Sequence, residues 1–231
     1  MNLLDLLFPK TCVNCGRWGT YLCANCFTKV SFDVKPMCVQ CNHASVDGRV
    51  HPRCLTRTSI KGVCSATVHN LVMKKLLAAY KYPPYVKDLE KVLVDLLYES
   101  LIQQEVFIKL LEKTIVFVPI PLYLRKYRVR GYNQAEELAR LLGSRLQVAV
   151  VNALQRVKET RTQVNLTKEE RQINVKHAFA LREIFQENIR GRTVVLVDDI
   201  LTTGATMSEC AGVLYTAGVK EVWGITLAHG K

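Results

Sequence analysis

At 231 residues the chain has room for one ordinary domain with a small appendage, or for one large domain. A composition of 49% hydrophobic and 23% charged residues is globular and excludes a disordered chain. The excess of 32 Lys and Arg over 20 Asp and Glu gives a net charge of +12, which suits polyphosphates, nucleic acid or an anionic surface better than a cationic substrate.

The start, Met1 to Pro9, is apolar but carries Asp5 and no basic n-region, so it does not read as a secretory signal. No apolar run approaches the roughly 18 residues of a membrane span. The best candidate, Ile115 to Leu124, is short and carries Pro119 and Pro121. A cytoplasmic location is therefore expected.

Residues 1–60 are organised by cysteines. Cys12-x2-Cys15 is followed by Cys23-x2-Cys26, and Cys38-x2-Cys41 by His51-x2-Cys54. A C-x2-C knuckle holds two sulfurs on one tight turn, and two knuckles complete the closed tetrahedron of structural Zn²⁺. Two ions are expected, one on Cys12, Cys15, Cys23 and Cys26, the other on Cys38, Cys41, His51 and Cys54. Disulfides would need an oxidising compartment, which a chain without an export signal does not reach. His43 rivals His51 but lies only two residues after Cys41, and the spacing leaves open a cross-braced pairing of first knuckle with third. Few large apolar residues separate the knuckles, so metal must supply the folding free energy of this segment, about 10–16 kcal/mol per site in model peptides. Residues 1–60 therefore read as a zinc-ribbon domain and 61–231 as a second, larger one. Four protein ligands per ion leave no open position for chemistry, so the zinc is structural.

The second domain alternates strand and helix. Val63 to His69 reads as a strand, then come helices over Leu71 to Ala79, Val86 to Leu101 and Glu105 to Lys113. Thr114 to Pro121 is apolar and β-branched, hence a buried strand. Gln134 to Leu146 is an amphipathic helix with Asn133 as N-cap, and Thr167 with Glu170 forms a capping box before a short helix. Thr193 to Val197 is a buried strand, Ala205 to Ala217 a helix stopped by Gly218, and Val222 to Ala228 the closing strand. This alternation predicts an α/β fold with a parallel sheet flanked by helices. Cys210 shares the inner face of its helix with Met207 and Leu214 and reads as core.

Charge concentrates between the two buried strands. Residues 118–177 hold 12 basic and 5 acidic side chains, net +7. Arg125, Lys126, Arg128 and Arg130 fall within six residues, interleaved with Tyr123, Tyr127 and Tyr132. Cations beside stacking aromatics suit a single strand of nucleic acid. The same cations could clamp pyrophosphate, and the tyrosines could equally be core.

Val194 to Thr206 reads VVLVDDILTTGAT. Two carboxylates, Asp198 and Asp199, emerge where a buried strand ends, the edge at which open α/β sheets bind ligands. A loop of Leu201, Thr202, Thr203, Gly204, Ala205 and Thr206 then opens a helix, whose N-terminal N–H groups and dipole favour an anion. Hydroxyls add donors and Gly204 permits close backbone approach. The aspartates suit the vicinal diol of a ribose, directly or through Mg²⁺. Together these residues describe a ribose 5-phosphate site.

This segment resembles, at all thirteen positions, the phosphoribosyl-diphosphate (PRPP) signature of type I phosphoribosyltransferases. The resemblance implies that Asp198 and Asp199 hold the ribose hydroxyls and that Leu201 to Thr206 wraps the 5-phosphate. Further marks are Tyr80-Lys81-Tyr82, Val118-Pro119-Ile120-Pro121, the run from Arg125 to Gln134, Arg161-Thr162-Gln163, Arg171 and Asn174-Val175. With the knuckles, they make nearly the whole chain similar to the ComF/ComFC family of competence proteins, to which the GntX branch is related. That implies a double zinc ribbon fused to a phosphoribosyltransferase-like domain. It also implies a cytoplasmic role in natural transformation, handling incoming single-stranded DNA beside an ATP-driven translocase, ComFA, where that partner exists. His51 departs from the family, which more often has Cys there.

Three functions fit these residues. One is a DNA-handling protein that keeps a PRPP-type pocket, the reading favoured here. The second is an active phosphoribosyltransferase of nucleotide salvage, though no base-reading element and no general base stand out. The third is a regulator that senses PRPP and binds DNA through the ribbons.

Overall fold

The computed structural model describes residues 9–160 and 167–230. The apolar start Met1 to Phe8 and the Arg161-Thr162-Gln163 mark lie outside these described residues. In chain order the elements are α1 (Ala24–Phe27), β1 (Val63–Val68), α2 (Leu71–Lys81), α3 (Leu89–Leu101), α4 (Glu105–Leu111), β2 (Ile115–Pro119), α5 (Leu124–Arg130) and α6 (Gln134–Leu146). Then follow β3 (Leu154–Arg156), α7 (Lys168–Val175), β4 (Phe179–Leu181), α8 (Gln186–Ile189), β5 (Thr193–Leu201), α9 (Ala205–Thr216) and β6 (Glu221–His229).

The main sheet is parallel throughout, in the order β1–β6–β5–β2. A single parallel bridge from Phe117 to Val150 extends it beyond β2. β5 is buried on both faces, and its alternation divides the core. Val195 and Val197 face a layer built from α2, α3, α4 and α6, whereas Val194 and Leu196 face α9 and the small antiparallel pair β3–β4. The helices carry the expected periodic faces: Val72, Met73, Leu76, Leu77 and Tyr80 of α2 are all buried. Asn70 caps α2 by accepting from the Met73 N–H at 3.1 Å. Asn133 caps α6, accepting from the Ala135 N–H, and its amide donates to the Ile120 carbonyl at 3.0 Å, tying the helix to the end of β2. The capping box of Thr167 and Glu170 is present, and Cys210 is fully buried, as the sequence predicts.

β5, α5, β3 and β4 differ from the sequence reading or are absent from it. β5 runs on past Val197 to Leu201, because β6 is equally long and pairs with it as far as His229. Both aspartates therefore stand inside the ladder rather than beyond it. The basic segment at 124–130, to which the sequence reading assigns no element, is helix α5. Its Leu, Arg and Lys are good helix formers and Gly131, at φ 82°, ends it in the left-handed region. No α5 side chain is buried, so no apolar stripe announces it. Strands β3 and β4 have three residues each, too short to show a period.

Candidate functional site

A cavity of about 870 Å³ opens at the C-terminal edge of the main sheet, where β1, β2, β5 and β6 all end. Asp198, Asp199, Leu201, Thr202, Gly204, Ala205 and Thr206 line it. Thr203 is not among the lining residues, and its hydroxyl accepts from the Ala205 N–H at 3.5 Å instead. Gly204 takes φ 73°, a conformation that side chains resist, and stands at the N-cap of α9. The first turn of α9 thus presents its N–H groups to the cavity, the arrangement that receives an anion.

Consecutive strand residues point to opposite faces, and the two aspartates do so. Asp199 turns toward the end of α2 and forms an ion pair with Lys81. Asp198 accepts the Asp199 N–H at 2.8 Å and lies on the side of Arg156 and Cys210. Burial pushes the Asp198 carboxyl well up, helped by the neighbouring charge of Asp199. Burial acts on Asp199 too, but the Lys81 ammonium outweighs it and holds that carboxyl below its ordinary value. Burial and the Lys81 ammonium thus push the two neighbouring carboxyls in opposite directions.

Around the aspartates the wall is basic. Lys74, Lys81, Lys126, Arg156 and Arg171 line the cavity. Arg156 stacks over Phe179 at 5.1 Å and donates to the Thr160 hydroxyl. Of the four cations singled out from sequence, Lys126 alone lines the cavity. Arg125 pairs with Glu159 at 3.5 Å, Arg130 donates to Gln134, and Arg128 is exposed. Among the tyrosines, Tyr127 is exposed, while Tyr132 is buried against Tyr80 with ring centroids 5.1 Å apart. His69 and His229 also line the cavity, and burial lowers both imidazoles, keeping them neutral near pH 7. Sequence reasoning did not select Arg156, His69 or His229. A sequence signal for the histidines is their place at strand ends, His69 just after β1 and His229 at the end of β6, the same sheet edge at which β5 bears the aspartates.

The knuckles pair in sequence order. The ligand atoms of Cys12, Cys15, Cys23 and Cys26 lie within 4.8 Å of one another, as do those of Cys38, Cys41, His51 and Cys54. Four sulfurs at about 2.3 Å from one zinc stand about 3.8 Å apart, and Cys15 and Cys23 stand at 3.7 Å. In the second cluster His51 Nδ1 is 3.3 Å from the Cys41 sulfur, and its Nε2 is 3.0 Å from the Ala44 carbonyl. A ligating imidazole normally donates its other N–H in this way, so the donor set fits zinc through Nδ1. Burial pushes the Cys12 thiol up, but N–H groups of Cys23, Cys15 and Asn14 outweigh it and lower it to about 6. Cys38 is lowered to about 7 in the same manner, burial opposing and the N–H groups of His51, Cys41 and Gln40 prevailing. The Asn14 amide lowers Cys26, but burial and the neighbouring thiols outweigh it and raise it to about 11, and burial with the neighbouring thiols raises Cys54; the clustered ligand atoms are what supports structural zinc at both sites.

No helix among the described residues is long and apolar enough to cross a membrane. A family model described as a double zinc ribbon domain matches residues 3–55, and one described as a phosphoribosyl transferase domain matches residues 127–231. The chain is 42% identical over 115 residues to Competence protein F of Haemophilus influenzae, covering 48% of this chain and 49% of that protein. It is 36% identical over 109 residues to DNA utilization protein YhgH of Escherichia coli and of Salmonella typhimurium, covering 46% of each chain. The chain thus matches about half the length of these curated relatives. The chain thus carries a double zinc ribbon domain ahead of a phosphoribosyl transferase domain, and over about half its length it is similar to a competence protein and to DNA utilization proteins.

Proposed function

We propose that this chain handles single-stranded DNA during DNA uptake in the cytoplasm and binds PRPP or ribose 5-phosphate in the cavity at the sheet edge. The names of its relatives, a competence protein and a DNA utilization protein, support the uptake role. The observation that carries the pocket is the meeting of Asp198 and Asp199 with the Gly204 turn inside one basic cavity. In this reading the first turn of α9 receives the 5-phosphate and the aspartates receive the ribose hydroxyls. Asp198 and Asp199 are hard oxygen donors that would suit Mg²⁺ accompanying a diphosphate. Lys81 occupies Asp199 in the free protein and is displaced or shared when the diol arrives. Residues 1–60 act as the ribbon part and 61–231 as the transferase-like part. An ATP-driven translocase of the ComFA kind is the expected protein partner.

The position of Lys126 favours a second reading, an active phosphoribosyltransferase of nucleotide salvage. A lysine beside the ribose site can clamp the pyrophosphate that leaves. The two readings separate on α5, because Arg125 and Arg128 face solvent while Lys126 faces the cavity. Arg125→Ala with Arg128→Ala should weaken binding to single-stranded DNA of every sequence. The slope of log affinity against log salt should become shallower by about 0.7 for each phosphate no longer neutralised. Lys126→Ala should weaken PRPP and spare DNA. Asp198→Ala with Asp199→Ala should abolish ribose 5-phosphate binding in calorimetry. An unchanged affinity in that last variant overturns the pocket assignment. Release of pyrophosphate on incubation with an acceptor base would establish the salvage enzyme.

A further inference from the structure

The phosphate loop has two sides. One faces the cavity, and the other rests on the second zinc knuckle. A Cβ on Gly204 would stand 1.8 Å from Val39 Cγ2, so the space a side chain would need is already filled by Val39. Val39 and Cys38 are buried in the same cluster as Leu201, Ala205 and Met207, the residues on either side of that glycine. One turn further on, the Ser208 hydroxyl lies 3.5 Å from the Gln40 amide. Val39 and Gln40 are the two residues between the ligands Cys38 and Cys41. The knuckle is also closed by its own backbone, Asn42 N–H to the Cys38 carbonyl at 2.8 Å and Cys38 N–H to the His43 carbonyl at 2.9 Å.

We infer that Val39 and Gln40 are positioning residues for sugar-phosphate binding, acting through the backbone of the Gly204 turn. The inference rests on the ribose-phosphate reading of the cavity and assigns part of that site to the zinc ribbon. A loop that binds an anion through N–H groups must hold their directions before the ligand arrives. Gly204 has no side chain with which to pack the left-handed turn in place. Val39 supplies the missing packing from outside, and zinc on Cys38 and Cys41 holds both ends of the pair that makes it. Metal occupancy at the second site and affinity for the sugar phosphate are therefore linked, although no zinc ligand lines the cavity.

The test uses the full, zinc-loaded chain with ribose 5-phosphate as probe. Affinity is read by calorimetry and loop order by hydrogen exchange at the amides of Gly204 to Thr206. Val39→Ala should weaken binding by roughly ten-fold, less than the about 10²-fold that a 1 Å misplacement of a reacting group can cost, and should speed exchange. Gly204→Ala suffers both the backbone strain and the clash, so it should bind more weakly still. Adding Val39→Ala to Gly204→Ala removes the clash and should recover part of the loss, which general destabilisation would not do. Should Val39→Ala fail to fold, Gln40→Ala at its half-buried position carries the same two readouts with a smaller effect. Wild-type affinity and exchange in Val39→Ala, with binding lost in Asp199→Asn, would overturn the inference while leaving the pocket assignment intact. If the unaltered chain does not bind ribose 5-phosphate, the pocket reading fails. The exchange rates then decide whether Val39 holds the loop, unchanged rates in Val39→Ala rejecting it.

Discussion

The two cysteine clusters share a spacing and differ in what they rest on. Cys12, Cys23 and Cys26 form a small buried cluster of their own, joined only by the partly buried Leu22. Their neighbours meet the larger domain through Val13, Tyr21 and Leu22, which pack partly buried against its core, through Lys75 donating to the Asn14 carbonyl at 3.0 Å and through Tyr21 reaching Asp88 at 3.4 Å. Cys38 belongs instead to the core shared by β2, β5 and α9, and Val50 enters the same core. Beyond it the chain at Lys61 already bonds to Val222, next to the main sheet. One metal motif thus keeps its ligands apart from the main core, with their neighbours packed on the larger domain, whereas the other places a ligand inside the core beneath the candidate site. A shared knuckle spacing does not imply equal coupling to the rest of the fold; the residues between the ligands decide it.

The sharpest way to break this comparison is to remove one ligand from each cluster. A structural zinc can supply about 10–16 kcal/mol in isolated peptides, as much as the roughly 5–15 kcal/mol that holds a whole domain together. Cys38→Ser should therefore abolish or strongly lower the main calorimetric transition, because the core and the second ribbon melt together. Cys12→Ser should keep that transition and lose close to one zinc of two by elemental analysis. Identical behaviour of the two variants would refute the distinction.

A smaller effect is expected from metal removal in the unaltered chain. Cys15 is the one exposed ligand of the two clusters, whereas in the second cluster Cys38 is buried and Cys41, His51 and Cys54 are half-buried. A thiol-alkylating reagent with a chelator should release one zinc in a fast phase and the second far more slowly. Ribose 5-phosphate binding should survive the first phase and disappear with the second. Loss of binding during the fast phase would mean that the first ribbon, too, supports the site.

The smallest effect concerns DNA. The first ribbon carries Trp18, 76% exposed, beside the exposed Arg17. If a single strand reaches this tip, Trp18→Ala should weaken binding by as much as one stacked base contributes, about 1–3 kcal/mol. Arg17→Ala should make the salt slope shallower by about 0.7. Neither change should alter ribose 5-phosphate affinity. An unaltered DNA isotherm in both variants would confine DNA to the α5 side of the molecule.

The fold was legible where one residue pattern had one physical meaning. β5 and β2 were readable because unbroken β-branched runs are buried on both faces, and α6 because Asn133 caps a periodic stripe. The cysteine spacing located both metal clusters, but only the structure separated sequential from cross-braced pairing and His51 from the exposed His43. Helix α5 was illegible because it has no buried face, and β3–β4 because three residues carry no period. At the site, the loop was readable because its hydroxyls, glycine and carboxylates are contiguous. Lys81, Arg156 and the two histidines come from four separate elements, and no local spacing predicts that they meet. The packing of Val39 on the loop was equally invisible, since 165 positions of chain separate it from Gly204.

Helix α5 also bears on how quickly a ligand comes and goes. It lies at the mouth of the cavity, with Lys126 turned inward and no side chain buried. Unwinding it breaks a few backbone hydrogen bonds and exposes little new apolar surface, so its opening free energy belongs at the low end of the molecule's range. The entrance can therefore widen without disturbing either face of the sheet. Residence time of the ligand proposed for this cavity should then follow the fraying of seven residues ended by Gly131 rather than the stability of the domain.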